Sequence, residues 1–364
     1  MDLFELRYSD YSLADEQAAV RDAFREFLAV QCPAGRVRAA EPLGYDATLW
    51  RQLTELGAAT MGLPETAGGD GAGLLDLVIV AEEIGGALAP VPFAEHVAAS
   101  RAIAALPGGH GGLLADPARR PVTLALAPLG LSAPGAEVPP GGPPGGAQLV
   151  PAGAIARDVL ALQGDTLVLI QAQAPPPLVP NQGSTPLARW DLGSGPRVVL
   201  GAGPAAVSAY QAARAEWKLL TAAALVGLTE RALGLGVEFA KTRETMGVQI
   251  GSLQGVSFPL ADVAIGIAGA RNIIRRAAWL ADNEPGEHPA AIEAAFACAA
   301  DVATHGTITS AHVQGGLGFT VEADASLYFL RAKGWSVLGG DPARDVMAVA
   351  DAIFARADHG RRHP

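Results

Sequence analysis

Two cysteines among 364 residues, Cys32 and Cys298, stand in distant segments and form no Cys-x-x-Cys pair. That spacing argues against a zinc site or a disulfide framework, and both read as small core residues. Cations are also short: 26 Lys and Arg stand against 37 Asp and Glu, a net charge of −11. Nucleic acid demands clustered basic residues, so no nucleic-acid partner is expected. No run reaches the ~20 uninterrupted apolar residues of a membrane span. The first residues carry acids where a secretory signal carries bases. These absences point to a cytoplasmic protein without a membrane partner. No P-loop, HExxH or GxSxG occurs, and Gly201-Ala202-Gly203 lacks the third glycine of a dinucleotide fingerprint. His305 and His312 lie seven apart with no carboxylate at metal spacing, so no metal site is expected.

What is present is apolar: half the residues are hydrophobic, enough for a large core and more than one packing unit. Residues 1–120 read as a helical domain. Ser12 or Asp15 can cap a helix through Ala29 whose Ala19, Val20, Phe24, Phe27 and Leu28 recur at helical spacing. Further helices are predicted over 47–56, stopping at Gly57, and over 74–85, ending in Gly85-Gly86. Glu82 and Glu83 between them read as a solvated face, since adjacent helix positions point about 100° apart. Residues 121–203 change character: a Pro/Gly run from Ala133 to Ala147 interrupts short strand-like stretches at 122–126, 159–162, 166–170 and 197–200. Gly164-Asp165 marks a hairpin turn between two of them. Residues 204–364 return to long helices, at 205–243, 258–280, 289–314 and 343–355, joined by short loops as in a helix bundle. The expected class is α+β, in the order helical domain, reduced β domain, four-helix bundle.

Two segments could carry chemistry. Arg243-Glu244-Thr245-Met246-Gly247 closes a long helix, with Gln254 eleven residues after the arginine. The guanidinium can pair with a phosphate and the amide with a ribose or pyrophosphate oxygen; a helix-terminal Arg is equally favoured by the macrodipole. Gln314-Gly315-Gly316-Leu317-Gly318-Phe319-Thr320 follows another helix. Its glycines either let backbone amides approach an anion or serve as a helix C-cap and turn. Glu322 reads as solvated or as the cap of the next helix.

Taken together these segments resemble the acyl-CoA dehydrogenase family over most of the chain. Leu63-Pro64-Glu65-Thr66-Ala67-Gly68-Gly69-Asp70-Gly71, followed by Glu82-Glu83-Ile84-Gly85, is similar to its amino-terminal signature. The run from Arg243 to Gln254 resembles its arginine-phenylalanine-glycine and phenylalanine-glutamine segment, with Met246 and Leu253 in place of the phenylalanines. The Gln314–Thr320 segment resembles its glycine-rich element. The resemblance implies that Arg243, Met246, Gln254, Gln314, Gly315, Gly316 and Gly318 hold the adenine-dinucleotide half of an FAD bound mainly to a neighbouring subunit. It also implies an acyl-CoA substrate and an electron-transfer flavoprotein as acceptor.

Two departures from the family pattern matter more. The family's usual base, a Glu near the carboxyl terminus, falls on Gly339, followed by Gly340-Asp341. An alternative position on the long helix falls on Trp217, and a one-residue slip would put Glu216 there. The flavin-ring motif has no counterpart in Leu124–Gly130 and the filler that follows. The chain thereby resembles the smaller, base-lacking subunit of bacterial heterotetrameric, steroid-type members, in which a second dehydrogenase chain completes an α2β2 assembly and supplies the base. The alternatives are an active homotetramer, with Glu216 or Asp341 as base, and a non-catalytic scaffold.

Overall fold

The computed structural model describes residues 12–108, 110–127, 147–286 and 290–362. The N-terminal region folds as α1 (Asp15–Gln31), α2 (Ala34–Ala39), α3 (Ala47–Glu55), α4 (Leu74–Gly86) and α5 (Phe93–Ala105). Neither expected residue caps α1. Asp15 is already its first residue, and Gln17 instead reaches back to accept the Ala14 amide at 3.1 Å. Asp46 caps α3 through the Leu49 amide (2.9 Å), and Gly57 beyond it takes φ +95°. α4 ends at Gly86, as its sequence predicted, and Gly85 also serves packing. A Cβ there would strike the Ala224 backbone, and one on Gly227 would strike Glu82, so the two glycines let α4 and the long bundle helix approach closely.

A four-stranded sheet follows in the order β1 (Val122–Leu124), β3 (Asp158–Gln163), β4 (Thr166–Gln171), β6 (Arg197–Ala202). The β1–β3 pair is parallel and the others antiparallel. Gly164 takes φ +64° in the two-residue turn that joins β3 to β4, as its sequence predicted. Alternation along β3 divides the core: Leu160 and Leu162 face α5, whereas Val159 and Ala161 face Val150 and Trp190. Those last two belong to a ribbon of β2 (Ala147–Val150) and β5 (Ala188–Asp191), both missed in the sequence. Each is four residues long, too short for a period to register. Ala147 opens β2; the rest of the Pro/Gly run lies outside the described residues.

The C-terminal region is a bundle of α6 (Pro204–Thr242), α7 (Gln254–Asn283), α8 (Ala291–Val313) and α9 (Asp324–Ser336), followed by α10 (Ala343–Arg362). Pro204 starts α6 at a position that needs no amide donor. The sequence reading missed α9, whose pattern is broken by Arg331, Lys333 and Gly334. Among the described residues α6 is the one helix long and apolar enough to cross a bilayer, and most of it is buried in the bundle. Leu219, Leu220, Leu225 and Leu228 share one core with α4, α7 and α8, each fully buried leucine contributing about 1.5–3 kcal/mol. Glu82 and Glu83 are not a solvated face: Glu82 accepts from Arg271 of α7 (2.7 Å) and Glu83 from Arg25 of α1 (2.7 and 3.1 Å). Their divergence sends each to a different helix rather than to water.

Candidate functional site

At one end of the bundle α6 and α8 finish and α7 begins. Ser310 Oγ donates to the Ala232 carbonyl (2.5 Å), and a Cβ on Gly236 would lie 3.0 Å from that oxygen and 3.4 Å from Leu260. Arg243, Gln254 and Gln314 stand seven, six and four residues beyond this meeting point, about 6–10 Å of helix rise. The fold thus gathers at one bundle end residues far apart in sequence.

Between α6 and α7 the chain forms a small hairpin, β7 (Glu244–Thr245) and β8 (Val248–Gln249). Met246 (φ +50°) and Gly247 (φ +79°) make its two-residue turn, both in the left-handed region that a type I′ hairpin requires. Met246 is consequently 98% exposed at the tip. The Ile250 amide donates to the Arg243 carbonyl (2.9 Å) and closes the base of the hairpin. Arg243 and Gln254 are exposed, and the Arg243 guanidinium has no partner among the described residues. Gln314 ends α8, its amide only 3.4 Å from the Ser310 carbonyl. Gly315 (φ +64°) turns the chain, and Gly315 and Gly316 have open space where a Cβ would be. Gly318 differs: a Cβ there would strike the Ala311 backbone, so it serves packing of the turn on α8. A free guanidinium, two amides and an open glycine backbone fit the anionic dinucleotide half of FAD. On the flavin-ring side, residues 128–146 lie outside the described ones.

The two family base positions meet in space. A Cβ on Gly339 would lie 2.8 Å from Trp217 Cζ3 and 3.2 Å from Cη2, so the indole covers Gly339. Trp217 is 1% exposed, and its Nε1 donates to Glu95 Oε1 (3.3 Å). Glu216 points elsewhere. It accepts from Arg101 Nε (2.9 Å), while Arg101 Nη1 donates to the Gly62 (2.7 Å) and Ala72 (3.3 Å) carbonyls. Burial pushes the Glu216 carboxyl above its ordinary value, and Arg101 opposes that shift. Lys218, the next residue, pairs with Asp345 of α10. Glu216 and Trp217 are thus bonded to two different residues of α5 and Lys218 to α10, and the one facing Gly339 is Trp217. Asp341 is exposed and accepts the Ala343 amide (3.0 Å) at the start of α10.

Sequence reasoning missed Glu95, the carboxylate that Trp217 is bonded to. Burial raises its pKa above the ordinary range, with its own backbone amide and Trp217 opposing. A lone acid inside the apolar run from Phe93 to Ile103 was the available signal. The sequence reading also missed Arg101, which neutralises Glu216. Glu322 is exposed, and His305 and His312 are exposed with no metal cluster among the described residues.

A helical domain, a small sheet and a helix bundle, in that order, make up an acyl-CoA dehydrogenase architecture. Residues 14–107 match the family model described as acyl-CoA dehydrogenase, N-terminal domain, and residues 211–354 the one described as acyl-CoA dehydrogenase, C-terminal domain. The chain belongs to the acyl-CoA dehydrogenase family, whose members are generally FAD-dependent oxidoreductases. It is 31% identical to acyl-CoA dehydrogenase IpdE2 of Mycobacterium tuberculosis over 92% of this chain and 95% of that one. Among solved structures it is similar to a variant of the Tcur3481-Tcur3483 steroid ACAD, with TM-score 0.81 and 27% identity over 95% of this chain and 100% of that one. It also resembles the ChsE4-ChsE5 complex from Mycobacterium tuberculosis, with TM-score 0.82 and 25% identity over 95% and 99% of the two chains.

Proposed function

We propose that this chain is the base-lacking subunit of a heteromeric acyl-CoA dehydrogenase. It supplies the dinucleotide side of an FAD site shared with an unlike dehydrogenase chain, which supplies the catalytic Glu. The observation that carries this reading is the indole of Trp217 seated on Gly339, where two alternative bases would stand. Removing the α-proton of a thioester needs a positioned carboxylate beside the substrate. Here the candidate on α6, Glu216, is held by Arg101.

Distance supports the shared site. Arg243 lies 26 residues along α6 from Trp217, about 39 Å of helix rise. That exceeds the span of an extended dinucleotide, so the clamp serves a flavin whose ring lies against another subunit. The clamp end also presents Met246, Leu317, Phe319 and Val321, at 98, 52, 56 and 77% exposed, an apolar rim suited to burial by a partner. Two similar solved structures carry paired chain names, and one is called a steroid ACAD. These support an α2β2 assembly and a steroid-type acyl-CoA substrate, with an electron-transfer flavoprotein as acceptor. Bound FAD supplies the hydride acceptor. In that complex Arg243 would neutralise pyrophosphate charge, and Gln254, Gln314 and the Gly315-Gly316 backbone would hold the dinucleotide.

The test is Arg243→Ala in this chain, co-purified with a Glu-bearing acyl-CoA dehydrogenase chain from the same genome that forms a complex with it. Flavin content per complex is expected to fall with assembly intact. Unchanged flavin content would reject the shared clamp and favour a scaffold.

A further inference from the structure

We propose that Arg38, on α2 of the helical domain, is a positioning residue for the dinucleotide clamp, an inference that rests on the shared-FAD reading above. Arg38 fixes the exit of the glycine turn and thereby sets where the Gly315-Gly316 backbone stands.

The turn is held from three sides. Gly318 packs on the Ala311 backbone of α8, and Phe319 meets the Phe329 ring of α9 edge to face at a centroid distance of 6.0 Å. The third hold comes from far away in the chain. Arg38 Nη1 donates to the Val321 carbonyl (2.6 Å), and Nη2 donates to Asp324 Oδ1 (3.0 Å) and reaches the Glu322 carbonyl at 3.5 Å. These partners lie 283 to 286 positions from Arg38. Among the described residues, Arg38 supplies every hydrogen bond that reaches residues 315–324 from another domain.

Simple electrostatics would not put an arginine there. A cation at the N-terminus of α9 opposes the helix dipole, a cost that the two carbonyls and the first-turn Asp324 offset. The mount of Arg38 is itself firm. Val37 beside it is 2% exposed in the core, and Arg36 donates through Nε (2.5 Å) and Nη2 (3.1 Å) to Asp46, the cap of α3. Tyr328, about one turn along α9, donates to the Gly86 carbonyl of α4 (3.1 Å). The helical domain thus sets the start of α9, and Arg38 carries that position into the turn. A backbone nest works only while its N–H groups point at the phosphate, and a support loose by about 1 Å weakens the ligand. Gly315 and Gly316 have open space where side chains would lock them, so the anchor at the exit limits their drift.

FAD is titrated into the flavin-stripped complex of this chain with its Glu-bearing dehydrogenase partner, and the dissociation constant is measured. Arg38→Met keeps the stem, removes the donors, and should raise that constant about tenfold, the loss of one charge-assisted hydrogen bond. Arg38→Lys, which keeps the charge, should fall between. A double-mutant cycle separates positioning from stability alone. Arg38→Met and Gly316→Ala act through the same backbone, so their losses should be less than additive; the loss in Arg243→Ala, a separate anchor, should add in full. Urea midpoints report folding, and Arg38→Lys decides the matter if Arg38→Met does not fold. Wild-type FAD affinity in the folded variant, or full additivity with Gly316→Ala, overturns the proposal while leaving the shared clamp standing. Unchanged FAD affinity in Arg243→Ala overturns the shared clamp itself, and this inference with it.

Discussion

A single methyl group on Gly339 should destabilise the protein, because the space beside that residue is already taken by tryptophan. In Gly339→Ala the new carbon would sit 2.8 Å from Trp217 Cζ3 and 3.2 Å from Cη2. Carbon atoms pack at about 3.5–4.0 Å, so the two must separate by about 0.7 Å. The indole cannot readily yield, being fully buried and tied through Nε1 to Glu95. Overpacking of this kind costs about 1–3 kcal/mol. Urea unfolding of the wild type, Gly339→Ala, Trp217→Phe and the double variant forms a closed cycle. Phenylalanine lacks the outer indole ring, so the alanine penalty should largely disappear in that background. A Gly339→Ala cost under about 0.5 kcal/mol, or the same cost in both backgrounds, would refute the filled-site geometry. By the same reasoning Gly339→Glu gains no turnover in the chain alone, since its carboxylate has nowhere to stand.

Glu216→Gln should lower stability by about 2–3 kcal/mol, because it leaves the Arg101 guanidinium largely buried without its counter-charge. Turnover and flavin content of the folded complex should be unchanged; turnover lost at full stability would instead mark Glu216 as the base. Glu95→Gln probes the second buried acid. Burial holds the Glu95 pKa above its ordinary 4.5, so the folded chain binds that proton more tightly than the unfolded chain. Its contribution to stability is full below 4.5 and is lost as pH rises through the folded value. The stability of Glu95→Gln relative to wild type should therefore climb with pH from about 4.5 upward, and parallel profiles would contradict the assignment.

How much of this was legible beforehand depended on the length over which a pattern repeats. The long helices and the β3–β4 hairpin showed themselves through periodicity and through Gly164. The ribbon strands β2 and β5 did not, because four residues carry no period. Arg243, Gln254 and Gln314 could be singled out by their motifs, and the helix lengths between them bring them to one end. The contact of Trp217 with Gly339 joins positions 122 residues apart, and no local pattern records it. The Gly85–Ala224 approach shows a second use the sequence did not reveal: Gly85-Gly86 was read as the end of a helix, where α4 does end, but Gly85 also lets two helices pack closely. Glu82 and Glu83 misled for a related reason, since an exposed acid and one facing an arginine on another helix look alike in sequence.

The central claim is that FAD is completed only by two unlike chains. Flavin absorbance near ~450 nm and native mass of this chain expressed alone, then with a Glu-bearing acyl-CoA dehydrogenase chain from the same genome, test it most directly. The account predicts a colourless chain alone and about one flavin per unlike pair in an active α2β2 complex. A yellow, active homo-oligomer of this chain at full flavin stoichiometry would contradict it.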